Sequence, residues 1–190
     1  MRRLICLTGM PGAGKTIAAE VARDLGLKVY SMGDIVREEV LKEKGALSWG
    51  DVKKAMFEVR EKEGPKAVAK RVLKAMMKED WDVAVIEGVR SLEEIEEFKT
   101  VGEVTVLAVH SSPTDRYERL RRRAREGDPR SFEEMRERDL KELSLGLGDV
   151  IALADYMIVN DGTLESFRER AKELLLRLVR GYKGEDYGRS

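Results

Sequence analysis

Eight consecutive residues carry the clearest chemical signal in this chain of 190 residues. Gly9-Met10-Pro11-Gly12-Ala13-Gly14-Lys15-Thr16 fits G-x-x-x-x-G-K-[ST], the spacing of a phosphate-binding P-loop. Glycines let the backbone turn around an anion so that successive N–H groups point inward. A helix starting at the end of the loop adds the positive end of its dipole. Lys15 is then placed to reach the β- and γ-phosphates of ATP, and Thr16 offers a hydroxyl to Mg²⁺. The flanks agree with this reading. Leu4-Ile5-Cys6-Leu7 is a short apolar run suited to a buried strand. Ile17 to Leu25 reads as a helix with Ala18, Val21, Ala22 and Leu25 on one face.

Further candidates lie at two more strand ends. Ser31-Met32-Gly33-Asp34-Ile35-Val36-Arg37 closes a second strand and opens a helix, and Glu87-Gly88-Val89-Arg90 closes a third. Each places an arginine after a tight turn. Two guanidinium groups so placed can hold a second phosphate through paired, charge-assisted hydrogen bonds. Asp34 is read both as the N-cap of its helix and, for a hydroxyl acceptor, as the general base. The run Arg119, Arg121, Arg122, Arg123 and Arg125, followed by Glu126-Gly127-Asp128-Pro129, has three readings: a solvated basic face, a nucleic-acid contact, or a short lid over residues 126–130. The nucleic-acid reading is the weakest, because no aromatics interleave with the arginines. His110 and Cys6 fall on different strands and build no metal site, and Cys6 reads as a core residue.

Alternating elements must position these groups. Strands are expected at Arg3–Thr8, Lys28–Ser31, Val83–Glu87, Val104–His110 and Tyr156–Val159, with helical segments between them and a last helix at Leu164–Val179. Ser91 with Glu94 and Ser131 with Glu134 make capping boxes. Pro113 after Ser112 suits a first helical turn, and Ser48 suits the cap of a helix that Gly64-Pro65 ends. This alternation predicts an α/β fold, a parallel sheet with helices on both faces and ligands at the carboxyl ends of the strands. Residues 33–82 exceed what one crossover needs, so a helical flap over the acceptor is expected there. Residues 1–180 then form a single domain, with a polar tail over 181–190.

Composition narrows the class. Thirty-six basic and 36 acidic residues cancel, which argues against an electrostatically driven nucleic-acid binder. Charged residues are 38%, Gln is absent and Asn160 is the only Asn, a thermophile-like bias. A strand at the start leaves no room for a signal peptide, and no apolar run spans a bilayer, so a cytoplasmic protein is expected.

The segments at 9–16, 31–37 and 86–90 resemble the P-loop, the second strand's exit and the acceptor segment of adenylate kinases and related nucleoside monophosphate kinases. Archaeal adenylate-kinase-related proteins of undetermined substrate are the nearest likeness, and it runs from the first strand to the final helix. The resemblance implies a three-layer kinase fold with a five-stranded parallel sheet, ATP and Mg²⁺ as cofactors, and a small phosphorylated acceptor. It implies that Arg37 and Arg90 hold the acceptor, and that Arg119 and Arg123, at an R-x-x-x-R spacing, act just before the short lid of residues 126–130 within a lid region of 119–138. Arg130, Arg136 and Arg138 are candidates after the lid. Glu87 stands in for the family's aspartate and Val89 for its proline, which alters the acceptor end. Ala154-Asp155-Tyr156-Met157-Ile158-Val159-Asn160-Asp161-Gly162 is similar to dephospho-CoA kinases, where this turn passes the adenine, and so implicates Asn160 in ATP binding.

Overall fold

Five parallel strands order the molecule as β2-β3-β1-β4-β5. A computed structural model describes residues 2–45 and 49–180. The strands are β1 (Arg3–Thr8), β2 (Lys28–Ser31), β3 (Val83–Glu87), β4 (Glu103–His110) and β5 (Tyr156–Val159). Four match the expected bounds, and β4 begins one residue earlier because Glu103 pairs with Arg3. The helices are α1 (Lys15–Asp24), α2 (Met32–Lys44), α3 (Trp49–Glu63), α4 (Ala67–Met76), α5 (Leu92–Phe98), α6 (Pro113–Arg123), α7 (Phe132–Ser144), α8 (Leu147–Ala152) and α9 (Leu164–Val179).

The alternation along β1 explains the layers. Leu4 and Cys6 point to one face, where they join buried residues of α2, α3, α4, α5 and α8. Ile5 and Leu7 point to the other, against Ala18 and Ala22 of α1 and Phe167, Ala171 and Leu175 of α9. A strand buried on both faces reads as a continuous apolar run, as β1 does. Cys6 is fully buried, and burial pushes its thiol pKa well up, in keeping with a core role.

Chain punctuation follows local chemistry. Ser112, Ser131 and Thr163 cap α6, α7 and α9 by accepting a backbone N–H. One expectation is corrected: Asp34 is not an N-cap. β2 runs straight into α2, so Ser31 caps it and accepts from Asp34 N at 3.2 Å. The expected Ser48 cap and the tail over 181–190 lie outside the described residues. α2, α3 and α4 fill the long interval and pack on one another beside the β2–β3 edge. No helix among the described residues is long and apolar enough to cross a membrane.

Candidate active site

The P-loop leaves β1 and winds into α1, so that Lys15 and Thr16 occupy the helix's first turn. Gly9 has φ +141°, and a Cβ there would lie 2.2 Å from the carbonyl oxygen of Val109, which only glycine avoids. Lys15 Nζ folds back over the loop and donates to Gly9 O at 2.6 Å and Met10 O at 3.1 Å. Burial, and after it the Arg90 charge, brings this ammonium down to about 8, against the opposing pull of Glu142 and Glu87. Thr16 Oγ1 donates to Glu87 Oε1 at 2.8 Å, so the carboxylate ending β3 meets the hydroxyl of the loop. This pair of exposed hard oxygen donors fits Mg²⁺, which favours carboxylate, hydroxyl and phosphate oxygens. No group of three or more His, Cys, Asp or Glu side chains among the described residues could hold a metal by itself.

A small, partly open cavity lies against the loop, lined by Gly9, Pro11, Lys15, Gly88, Val89, Arg90 and Glu142. Its floor is the turn after β3, where Gly88 N and Val89 N both donate to Leu7 O and Thr8 Oγ1 donates to Val89 O. Arg90 is fixed from two sides. Its backbone N–H donates to Glu94 Oε2 at 2.8 Å, and its Nε donates to Glu142 Oε2 at 2.6 Å. Glu94 is fully buried and also accepts two hydrogen bonds from Arg60 of α3. The Ser91–Glu94 capping box is thus modified: Glu94 reaches the N–H of Arg90, one residue before the cap. Ser131 and Glu134 repeat the pattern, with Glu134 accepting from Arg130 N.

The other candidates fall around this cavity rather than in it. Arg37 pairs with Asp34 on the exposed side of α2, and neither lines the cavity. Arg119 donates to Ser111 Oγ and to the carbonyl of Asn160. The Asn160 amide in turn donates to Ala13 O at 2.9 Å, so this residue braces the P-loop from β5. Arg123 makes a bidentate pair with Asp128, and Arg138 Nη1 lies 3.6 Å from the same carboxylate. Burial works against charge on Asp128, but its bonds to Arg123 and Arg125 N and the Arg138 charge keep its pKa below the usual range. Residues 124–131 form the loop joining α6 and α7, with Ala124 left-handed at φ 47°. Arg130 and Arg136 are exposed, and His110 is exposed at the end of β4.

Three groups were not expected from the sequence. Arg116 is buried, donates to the Pro11 carbonyl at 3.0 Å and makes a bidentate pair with Asp139. Glu142, one turn beyond Asp139, enters the cavity. A signal for Arg116 existed: it lies four residues before buried Leu120 on the same face of α6. Asp139 and Glu142 lie four and seven residues after buried Met135 on one face of α7, but charges at every angle around that helix mask the stripe.

Known proteins agree with this architecture. The AAA_17 family model, described as an AAA domain, matches residues 8–136. A UPF0200 protein of Hyperthermus butylicus is 46% identical over 94% of this chain and 96% of its own length. Another, from Staphylothermus marinus, is 47% identical over 93% of each. Among solved structures, TT1252 from Thermus thermophilus superposes with a TM-score of 0.65 at 21% identity, covering 93% of this chain and 98% of that one. Shikimate kinase from Acinetobacter baumannii, solved with shikimate, gives 0.57 at 17% identity, covering 97% and 96%. The sheet and helical layers are therefore those of the P-loop kinase fold. By family model and full-length relatives alike, the chain belongs to the AAA_17 family, within the UPF0200 group of archaeal proteins.

Proposed function

We propose that this protein is an ATP-dependent kinase that transfers the γ-phosphoryl group to a small, phosphate-bearing acceptor. One observation carries the reading: Lys15 of the P-loop and Arg90 at the end of β3 line a single cavity. That sets the donor phosphates beside the Arg90–Glu142 pair at the end of β3, where the reacting group of an acceptor would lie within reach of phosphoryl transfer. Lys15 neutralises charge on the donor phosphates. Thr16 and Glu87 would hold Mg²⁺, which supplies further neutralisation of those oxygens. The loop is kept in shape by Arg116 and Asn160, which hold its carbonyls at Pro11 and Ala13. Arg119 and Arg123 lie on α6 before the lid, and Arg123 is the one paired to it, through Asp128. Two accepting groups suit such a molecule: a phosphate oxygen, as in a nucleoside monophosphate, or a hydroxyl, as dephospho-CoA kinases use.

The test is a panel. The protein is incubated with Mg-ATP and a set of nucleosides, nucleoside monophosphates, hydroxy acids and phosphorylated alcohols, and ADP is measured. ADP formation stimulated by one chemical class supports the kinase. ADP formation that no small molecule changes, but a protein or RNA does, marks a nucleotide-dependent switch and contradicts it.

A further inference from the structure

Four arginines of the acceptor end and the lid region already hold a carboxylate. Arg37 has Asp34, Arg60 has Glu94, Arg90 has Glu142 and Arg123 has Asp128. Among these eight residues only Arg90 and Glu142 line the cavity with Lys15. A phosphate dianion arriving at Arg90 meets the Glu142 carboxylate beside it. Burial disfavours charge on Glu142, but Arg90, Lys15 and Arg138 outweigh it and hold the pKa below the ordinary range, so the group is ionised at neutral pH. Displacing it would strand a buried carboxylate whose partner has been taken away.

A neutral hydroxyl meets no such barrier. Glu142 Oε2 is occupied by Arg90, and among the described residues no donor reaches Oε1. From this geometry we infer that the accepting group is a hydroxyl, held by hydrogen bonding to Glu142 beside Lys15, and that Glu142 excludes a phosphate from that position. The inference rests on the phosphoryl-transfer reading above and names its acceptor chemistry. In the transfer, the hydroxyl oxygen forms the new bond to the γ-phosphorus. The bond from that phosphorus to the bridging oxygen breaks, and its electron pair leaves on ADP. The hydroxyl proton passes to Glu142 Oε1 and then to solvent. Glu142 takes the place the sequence suggested for Asp34, which is engaged with Arg37 on α2. The phosphate that the acceptor carries elsewhere binds away from Glu142.

Inorganic phosphate and methyl phosphate test this without knowledge of the acceptor. The P-loop is first saturated with Mg²⁺ and a non-hydrolysable ATP analogue. Phosphate is then titrated into the wild type, Glu142→Gln, and Glu142→Gln combined with Arg90→Met. Weak phosphate binding by the wild type is expected, tightened about tenfold or more by Glu142→Gln, with the gain erased by Arg90→Met. Wild-type binding as tight as the variant's, or no gain in Glu142→Gln, overturns the inference. Binding of the analogue reports that each variant is folded. Failure of the analogue to bind the wild type would instead remove the kinase reading beneath it. A second readout is the product: ³¹P NMR of any panel reaction should show a phosphomonoester, and a new phosphoanhydride contradicts the inference.

Discussion

Lys15 is the residue whose chemistry changes most when phosphate arrives. Free, its ammonium loses a proton near pH 8 because it is buried beside Arg90. Phosphate oxygens favour the charged form and restore it toward the ordinary 10.5. Between those values the complex holds more protons than the free protein. Mg-ATP binding should therefore take up close to one proton at about pH 9 and almost none at about pH 6.5. Calorimetry in two buffers of different ionisation enthalpy measures this, and proton release at the higher pH contradicts the assignment. Arg90 and Glu142 make a second residue-scale case. Replacing Arg90 with Met strands a buried carboxylate, which should cost about 3–5 kcal/mol in urea unfolding. Adding Glu142→Leu should recover most of that loss. Equal stability of the single and double variants would show that the pair is not coupled.

At the scale of elements, α7 links the parts of the site. Arg138 faces Asp128 and the lid loop, Asp139 holds Arg116 against the P-loop, and Glu142 holds Arg90. These three positions span little more than one turn of the helix, so a shift of α7 is felt at the loop, the lid and the acceptor turn together. Gly12 makes the contact to α6 close: a Cβ there would lie 2.9 Å from Arg116 O. Arg116→Met should lower stability by about 3–5 kcal/mol and weaken ATP, while Arg116→Lys keeps charge but loses the bidentate geometry and falls between. Unfolding curves and ATP titrations decide, and an Arg116→Met protein with unchanged ATP affinity would deny the loop-holding role. Beside the lid, Arg123→Ala should reduce kcat by about 10³-fold or more with smaller changes in substrate binding. Normal kcat in steady-state kinetics would return Arg123 to a plain ion pair with Asp128. The sequence was silent on this coupling for a physical reason. A charged run such as Glu133-Glu134-Met135-Arg136-Glu137-Arg138-Asp139 satisfies a solvated helix, and nothing local marks which members turn inward.

Across the whole molecule, what could be read early was what depends on near neighbours. Buried strands show as apolar runs, and the loop glycines show as a fixed spacing, because backbone geometry alone demands both. Capping serines were equally plain. Asp34 has the residue type of a cap but sits in the first turn of α2, because β2 enters α2 without a loop, a junction that hydrophobic pattern does not mark. Partners more than fifty residues apart, such as Arg90 with Glu142 or Arg116 with the Pro11 carbonyl, exist only once the sheet order brings them together. The central claim is that this assembly moves a phosphoryl group from ATP to a small molecule through the P-loop. Incubating wild type and Lys15→Ala with γ-labelled Mg-ATP and a mixture of small metabolites from an archaeal extract tests it most directly. Label should pass from ATP into a small molecule with the wild type and not with Lys15→Ala, although both fold. Label appearing only as inorganic phosphate, or reaching the same product without Lys15, would contradict the account.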